Sequence, residues 1–562
     1  MKFGELAEYF SRLEKTSSRL AMTEILAELF KKASVDEIGE ICYLSLGRLV
    51  PLYERLEFNL AEKMAIRSIG KAFGKENGEI QKLFKKVGDL GEVVESLKTK
   101  GKQSNLSVLE VYKRLEKIAK DEGQGSQERK VGGLAELLSD LDGLSGRYVV
   151  RIVVRKLRLG FSDKTMIDGL SWMKKGDKSL RDEIEKAYFV RADIGEIARR
   201  FKKKGLKELV NYGVLWGVPV MPALCQRLKT AEEMIAKMGK VAVEPKWDGT
   251  RVQIHYKAGG EIKAFTRNMD EVTHMFPELK EIEKQIEAKE VIIDSEAVGI
   301  DPNTKKLLSF QQTIVRKRKH GVEEISKKVP LKFFVFDVLY ENGKSLINTA
   351  LNKRRKILER LITGNGVLEV SEQIVIDDAV KLRDYHTKKL KAGLEGAVVK
   401  KWNDVYVPGR RGWSWVKFKE VAEAVGKLAD TLDCVVMGFY RGKGKRAQFG
   451  IGAFLVGVRS GEKLMTVAKI GTGLSDKQWR EMKKRLDGQV SVKKPKDYDV
   501  HKQLEPDVWV NPMVVVEIAA DEITKSPTHS AGLALRFPRL IRFRDDKKVS
   551  QATSLSELKE IK

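Results

Sequence analysis

The chain has 562 residues and a mass of 63.5 kDa, too long for one compact domain, and its 42% of apolar residues can supply several cores. No stretch approaches the roughly 18 apolar residues a membrane helix needs, the richest run, FFVFDVLY, is broken by Asp337, and the opening MKFGELAEYFSRLEK has no apolar signal core, so a cytoplasmic location is expected. Three scattered cysteines, Cys42, Cys225 and Cys434, exclude a disulfide framework and a CxxC zinc knuckle, while a net charge of +27 fits either a polyanionic partner or a solvated lysine-rich surface.

Of the 13 prolines only Pro51 precedes Pro219. The proline-poor first third carries LAEYFSRLEK, ILAELFKKA and VLEVYKRLEKIAK, with apolar residues three and four apart, which predicts helices. WGVPVMPALCQRL, with two prolines close together, marks the exit. From about 240 the short runs VAVEPKWDG, RVQIHYK, EVIIDSEAVGI, LKFFVFDVLY and GAVVKK predict antiparallel strands, with a helix expected over MFPELKEIEKQIEAK. Beyond about 425, LDCVVMGFYRG, GAFLVGVRS, KLMTVAKIGTG and VVVEIAADEI suit a small barrel of the OB type.

The chemistry centres on EPKWDGTR, residues 244–251. A lysine at a strand end, followed by a tight glycine turn, can be held rigidly close to a ligand. Lysine is normally protonated, so a nucleophilic Lys246 must be desolvated or set near other cations. Taken alone, KWDG is weak, and a hairpin turn with a surface lysine is the favoured reading. Further along come Arg251, TRN around Arg267, DSEAVG around Glu296, FFVFDVLY with Phe336, EGAVVKK (395–401), WVKFK (415–419) and LRFPR (535–539).

In this ordered set the sequence resembles the covalent nucleotidyltransferase superfamily, and within it the ATP-dependent DNA ligases of the archaeal and eukaryotic replicative type, along essentially the whole chain. The resemblance implies a multidomain protein: an all-α DNA-binding domain (1–215), an α+β adenylation domain (216–424) and a β OB-fold domain (425–562). It implies that Lys246 attacks the α-phosphate of ATP and carries AMP, that Glu244 reads the adenine amino group and that Phe336 stacks on the base. Glu296, Arg251 and Arg267 would meet ribose and phosphate. Lys417 and Lys419 would neutralise the α-phosphate, with Lys400 and Arg411 as further contacts. Glu296 and Glu395 would hold Mg²⁺, with Mn²⁺ as a substitute, since hard cations take carboxylate oxygen. Arg536 and Arg539 would orient the pyrophosphate, with a hinge near 420–431. Trp415 is read as packing, and Asp248 and Asp337 as structural.

The expected partner is nicked duplex DNA, in replication, repair and recombination, with a sliding clamp as a family expectation and a monomeric enzyme. EGQGSQERK (122–130) and RIVVRKLRLG (151–160) resemble DNA-binding segments: Gly125 and Ser126 would offer backbone amides, and Arg151, Arg155 and Arg158 charge. RIVVRKLRLG is also readable as an amphipathic helix with a solvated basic face, and RKRKH (316–320) as a solvated turn. The competing readings are an RNA ligase or GTP-using capping enzyme, an NAD-dependent ligase, and a non-catalytic nick-binding scaffold. The helical first third, the missing cysteine cluster and the intact motifs argue against them in turn.

Overall fold

The computed structural model describes the chain except residues 99–103, 158, 211, 229, 317–320, 365, 410, 419–430, 443, 521 and 562. It divides into two compact units, Met1–Lys419 and Glu420–Lys562.

The first unit opens with helices. Val108–Lys120 shows why the sequence forms them: Ser107 and Glu110 make a reciprocal capping box, and Val108, Val111, Leu115, Ile118 and Ala119 fall on the buried face. Among the described residues no helix is long and apolar enough to cross a membrane. The core of these helices runs from Phe3 through Tyr212 and also takes in Phe265 and Met269, so helices and sheets share one compact unit.

The strands after the helices are, in chain order, β1 (Leu224–Arg227), β2 (Val241–Pro245), β3 (Thr250–Lys257), β4 (Glu261–Thr266), β5 (Glu290–Gly299), β6 (Leu331–Glu341), β7 (Lys344–Ser345), β8 (Leu368–Val370), β9 (Ile374–Ile376), β10 (Ala397–Lys401) and β11 (Arg411–Phe418). They form one sheet in the order β1-β11-β10-β2-β9 and a second in the order β4-β3-β5-β6-β7, with β8 on β6. Alternation sorts their faces. Val241, Val243, Ala397, Val399, Val416 and Phe418 pack on the helices Ala231–Met238 and Ala379–Lys391. Val252, Ile254, Ile293, Val335 and Val338 form a separate core with the helix Leu351–Leu361. The remaining faces carry Glu244, Lys400, Arg251 and Asp294 alongside an apolar cluster that includes Ile292, Leu339 and Trp415.

The segment expected to be helical after Phe276 is instead a 3₁₀ helix, Pro277–Gln285. Its buried residues, Leu279, Ile282 and Gln285, recur every third position, which matches three residues per turn. Gln285 fixes the end by donating to the Leu368 carbonyl at 3.1 Å and accepting from the Leu368 amide at 3.0 Å.

The segment joining helices to sheets is fastened along β3. The Gly217 amide donates to His255 Nδ1 at 3.0 Å, the Gln253 amide group pairs with both backbone groups of Val220 at 2.8 and 3.0 Å, and Arg251 Nη1 donates to the Ala223 carbonyl at 2.8 Å. Burial holds the His255 imidazole far down, to about 3, so it stays neutral and Nδ1 remains an acceptor.

The second unit is a β domain of the OB type. Leu432–Tyr440 pairs with both Ala453–Ser460 and Val515–Ala519, Ala453–Ser460 with Lys463–Ile470, and Val515–Ala519 with Arg539–Phe543. The helix Asp476–Asp487 adds Trp479, Met482 and Leu486 to the core.

Candidate active site

β2 sends Ala242 and Glu244 to the face away from its helices, and Lys246 follows one residue past the strand end. The Lys246 amide donates to the Gly396 carbonyl at 3.0 Å, which extends the β2–β10 pairing by one step and fixes the side chain's origin. Its Nζ forms an ion pair with Glu395, both side chains about a quarter exposed. Gly249 is required by packing: a Cβ there would stand 2.3 Å from the Ala297 carbonyl oxygen and 3.0 Å from Glu296 Cγ. That close approach lets the turn after Lys246 lie against β5, where Arg251 pairs with Glu296.

Glu296 is half-buried, and burial pushes its carboxyl up to about 7, countered by Lys246 and Arg251 and reinforced by Asp294 and Glu395. Those influences place Glu296, Glu395 and Lys246 in one electrostatic neighbourhood. Among the described residues no group of three or more His, Cys, Asp or Glu is arranged to hold a metal ion. Two carboxylates fit a hard cation that keeps water and phosphate oxygens in its other positions.

Glu244 is buried. One oxygen meets Lys400 Nζ at 2.7 Å and the other accepts from Gln373 Nε2 at 2.7 Å. Lys400 also donates to the Phe336 carbonyl at 3.1 Å and lies over the rings of Phe336 and Trp415 at 4.7 and 4.3 Å. Phe336 occupies a β-bulge: Asp294 pairs with Asp337 and Ser295 with Val335, so the ladder skips it. A bulge re-aims its extra residue, and here the ring meets Trp415 edge-on at 6.0 Å. Its neighbour Asp337 turns the other way, into a buried pair with Arg354 at 2.7 and 3.0 Å. Asp248 accepts from the Phe310 amide at 3.1 Å, in keeping with a structural reading.

Arg251 holds Asp294 through two nitrogens at 3.0 and 2.5 Å, and its guanidinium lies 5.3 Å from the Phe336 ring centre and 5.5 Å from that of Trp415. Asp294 and Tyr406, both buried, belong to this network; Asp294 opens the DSEAVG run, where the resemblance gives it no role, and Tyr406 lies outside the motifs. So does Gln373. Lys417 stands on β11 opposite Val398, in one row with Glu244. Arg267 is exposed in the turn after β4, one residue past the Val252–Thr266 pair. The Arg411 side chain and Lys419 lie outside the described residues, as do 420–430 of the expected hinge.

In the second unit Arg536 pairs with Glu522 at 3.1 Å and Arg539 stands opposite Ala519. Exposed Phe537 between them adopts a left-handed backbone, φ 52°.

The candidate DNA contacts divide. Gly125, at φ 75°, is the N-cap of the helix Ser126–Asp140, so Gly125 and Ser126 stand at a helix start. Arg155, also left-handed at φ 56°, is 60% exposed beside Glu57 at 3.1 Å. Arg151 is a different case: only 1% exposed, it sits in the helix Gly143–Val153 bound to Asp89, Glu14 and Glu92, so its guanidinium serves helix packing and does not reach a phosphate. Arg316, the first residue of RKRKH, is likewise buried against Glu278 at 2.7 Å rather than in a solvated turn. Arg158 and 317–320 lie outside the described residues.

Comparison with known proteins agrees with this layout. Residues 2–171 match the family described as DNA ligase N terminus, 222–419 the ATP dependent DNA ligase domain, and 447–547 the ATP dependent DNA ligase C terminal region. A probable DNA ligase of Dictyoglomus turgidum is 42% identical over 573 residues, covering 100% of this chain and 97% of its own. DNA ligase 2 of Thermofilum pendens is 38% identical over 590 residues, again covering 100% and 97%. The solved structure named "Pmar-Lig_Pre." shares the fold, with a TM-score of 0.55 at 18% identity over 96% of this chain and 99% of that one. By full-length identity and by all three matched regions, the chain belongs to the ATP-dependent DNA ligase family.

Proposed function

We propose that this ATP-dependent DNA ligase works through AMP carried on Lys246, and the observation that carries the reading is Lys246 paired with Glu395 and linked electrostatically to Glu296 and Arg251, with Arg251 and Lys400 both over the Phe336 ring. The Lys246 amine attacks the α-phosphorus of ATP, forming an N–P bond as the bond to pyrophosphate breaks and the amine loses a proton. The 5′-phosphate at a nick then attacks the same phosphorus and frees the lysine. The 3′-hydroxyl finally displaces AMP and joins the strand.

Negative charge builds on the phosphoryl oxygens in each transfer, and preorganised cations stabilise it. Arg251, Lys400 and Lys417 supply them here. Glu244 contributes to the adenine pocket as a fixed acceptor, one oxygen on Lys400 and the other on Gln373, and Phe336 offers its ring to the base. Glu296 and Glu395 would hold Mg²⁺, which when bound neutralises phosphate charge. Because Glu395 pairs with the Lys246 ammonium, the proton that the amine must lose before attack has a carboxylate beside it to accept it.

Phe336→Ala tests the nucleotide assignment. It is expected to slow formation of the protein–AMP adduct by on the order of tenfold, from a stacking loss of about 1–3 kcal/mol, while a pre-adenylylated nick is sealed nearly normally. Equal loss on both substrates would place the ring elsewhere in the reaction.

For DNA, Gly125, Ser126 and Arg155 are proposed as backbone contacts, which a sequence-tolerant enzyme needs. Arg155→Ala should weaken nicked-duplex binding evenly across sequences and reduce the slope of log K against log salt by about 1. An unchanged slope in a titration from low to high salt would remove Arg155 from the interface.

A further inference from the structure

Tyr406 lies between β10 and β11, in a loop whose sequence, VYVPG, carries no catalytic pattern. Its buried hydroxyl nevertheless joins three groups. It accepts from the Ala223 amide at 2.9 Å and from Arg251 Nη2 at 3.1 Å, and donates to Asp294 Oδ2 at 3.0 Å. Burial and the Asp294 charge push the phenol well above its ordinary value, so it keeps the proton it donates.

We infer that Tyr406 is a positioning residue for the first step: its hydroxyl fixes the Arg251 guanidinium, directly and through Asp294, beside the Phe336–Trp415 pair. The inference rests on the reading of Arg251 as a nucleotide contact.

The physical argument concerns freedom. An arginine side chain has many rotamers, and the two ring contacts at 5.3 and 5.5 Å do not by themselves select one. Four hydrogen bonds do: two to Asp294, one to the Ala223 carbonyl and one to Tyr406. Asp294 in turn accepts from the same Tyr406 hydroxyl at Oδ2, the oxygen that also meets Arg251 Nη2, so one atom touches both partners of the ion pair. The tyrosine is itself anchored, its amide donating to the Ile347 carbonyl at 2.9 Å and its ring edge-on to Trp415 at 5.6 Å. Those anchors do not involve the hydroxyl, so Tyr406→Phe keeps the ring in place while leaving the Ala223 amide and one Asp294 lone pair without their partner.

The test follows ATP dependence of adduct formation in the full chain. Tyr406→Phe is expected to raise the KM for ATP about tenfold, the effect of losing one hydrogen bond in a charged network, with kcat within about threefold and a smaller effect on sealing of a pre-adenylylated nick than on adduct formation. Arg251→Lys should raise the KM by itself. In that background, where a single nitrogen replaces the guanidinium fork, adding Tyr406→Phe should change the KM less than about twofold. A lowered unfolding midpoint with an unaltered KM would make the hydroxyl purely structural and overturn the inference. So would a full tenfold change in the Arg251→Lys background, because the hydroxyl would then act by another route. Should Arg251→Lys alone leave the KM unchanged, the inference falls with the Arg251 reading, and that result is distinguishable from a failure at Tyr406 only.

Discussion

Incubated with radiolabelled ATP, Lys246→Ala is expected to give no protein–AMP adduct, and nick sealing from ATP is expected to fall by at least on the order of 10⁴-fold, as when a covalent nucleophile is removed. The side chain is placed by backbone, through the β2–β10 ladder and the Gly396 carbonyl. Loss of the amine therefore removes the reacting group while the strand that presents it stays intact. A pre-adenylylated nick already carries the phosphorus that Lys246 would have delivered. Sealing of that substrate should survive within about tenfold, since oriented cations and positioning remain. A normal adduct in the variant would assign the nucleophile to another residue, and equal loss on both substrates would point to collapse of the site.

The largest expected effect on stability is at Asp337. Asp337 and Arg354 are both fully buried and joined by two hydrogen bonds, and Asp337 also accepts from the Val338 amide at 2.9 Å. Asp337→Ala strips a buried guanidinium of its counter-ion and leaves it the Thr349 carbonyl and the face of the Tyr406 ring at 5.8 Å, a cost of about 3–5 kcal/mol. Replacing both partners by apolar residues, Asp337→Leu with Arg354→Met, removes the stranded charge and should recover most of that loss. Urea unfolding of the three proteins, read at the earliest transition because a chain of two units need not unfold in one step, decides the matter. Equal destabilisation of single and double variants would show that shape, not charge, dominates there. The site should register the change too, because Asp337 adjoins the bulge that aims Phe336.

The sequence shows the chemistry of this protein better than it shows the neighbours of that chemistry. Lys246, Glu244, Glu296, Phe336, Lys400 and Glu395 stand in local patterns, and strand alternation is enough to put Glu244 and Lys400 on one face. Gln373 and Tyr406 are invisible to such reading, because each acts through a residue far along the chain: Tyr406 meets Asp294 across 112 positions and Gln373 meets Glu244 across 129. Arg151 shows the opposite failure. RIVVRKLRLG places an arginine on a helix but not the direction it faces. That direction is set by Glu14, Asp89 and Glu92, which come from other helices and draw the guanidinium inward. The 3₁₀ helix Pro277–Gln285 was open to discovery, since its apolar spacing of three is printed in the sequence, but the same letters also satisfy an α-helical reading with a few positions shifted.

The fastening of residues 217–223 onto β3 bears on how separable the parts of this enzyme are. Contacts at 217, 220 and 223 meet side chains at 255, 253 and 251 in opposite order, one step of the segment for each inward-facing residue of the strand. Such a pairing has a phase. One residue added or deleted between Gly217 and Ala223 would put the teeth out of step and disturb Arg251 at the far end, whereas ordinary connecting loops tolerate changes of length. The segment is thus a poor place to divide the protein for expression in pieces, to graft in a foreign domain, or to exchange the helical third between relatives. Any chimera that crosses here must carry the segment and its strand together.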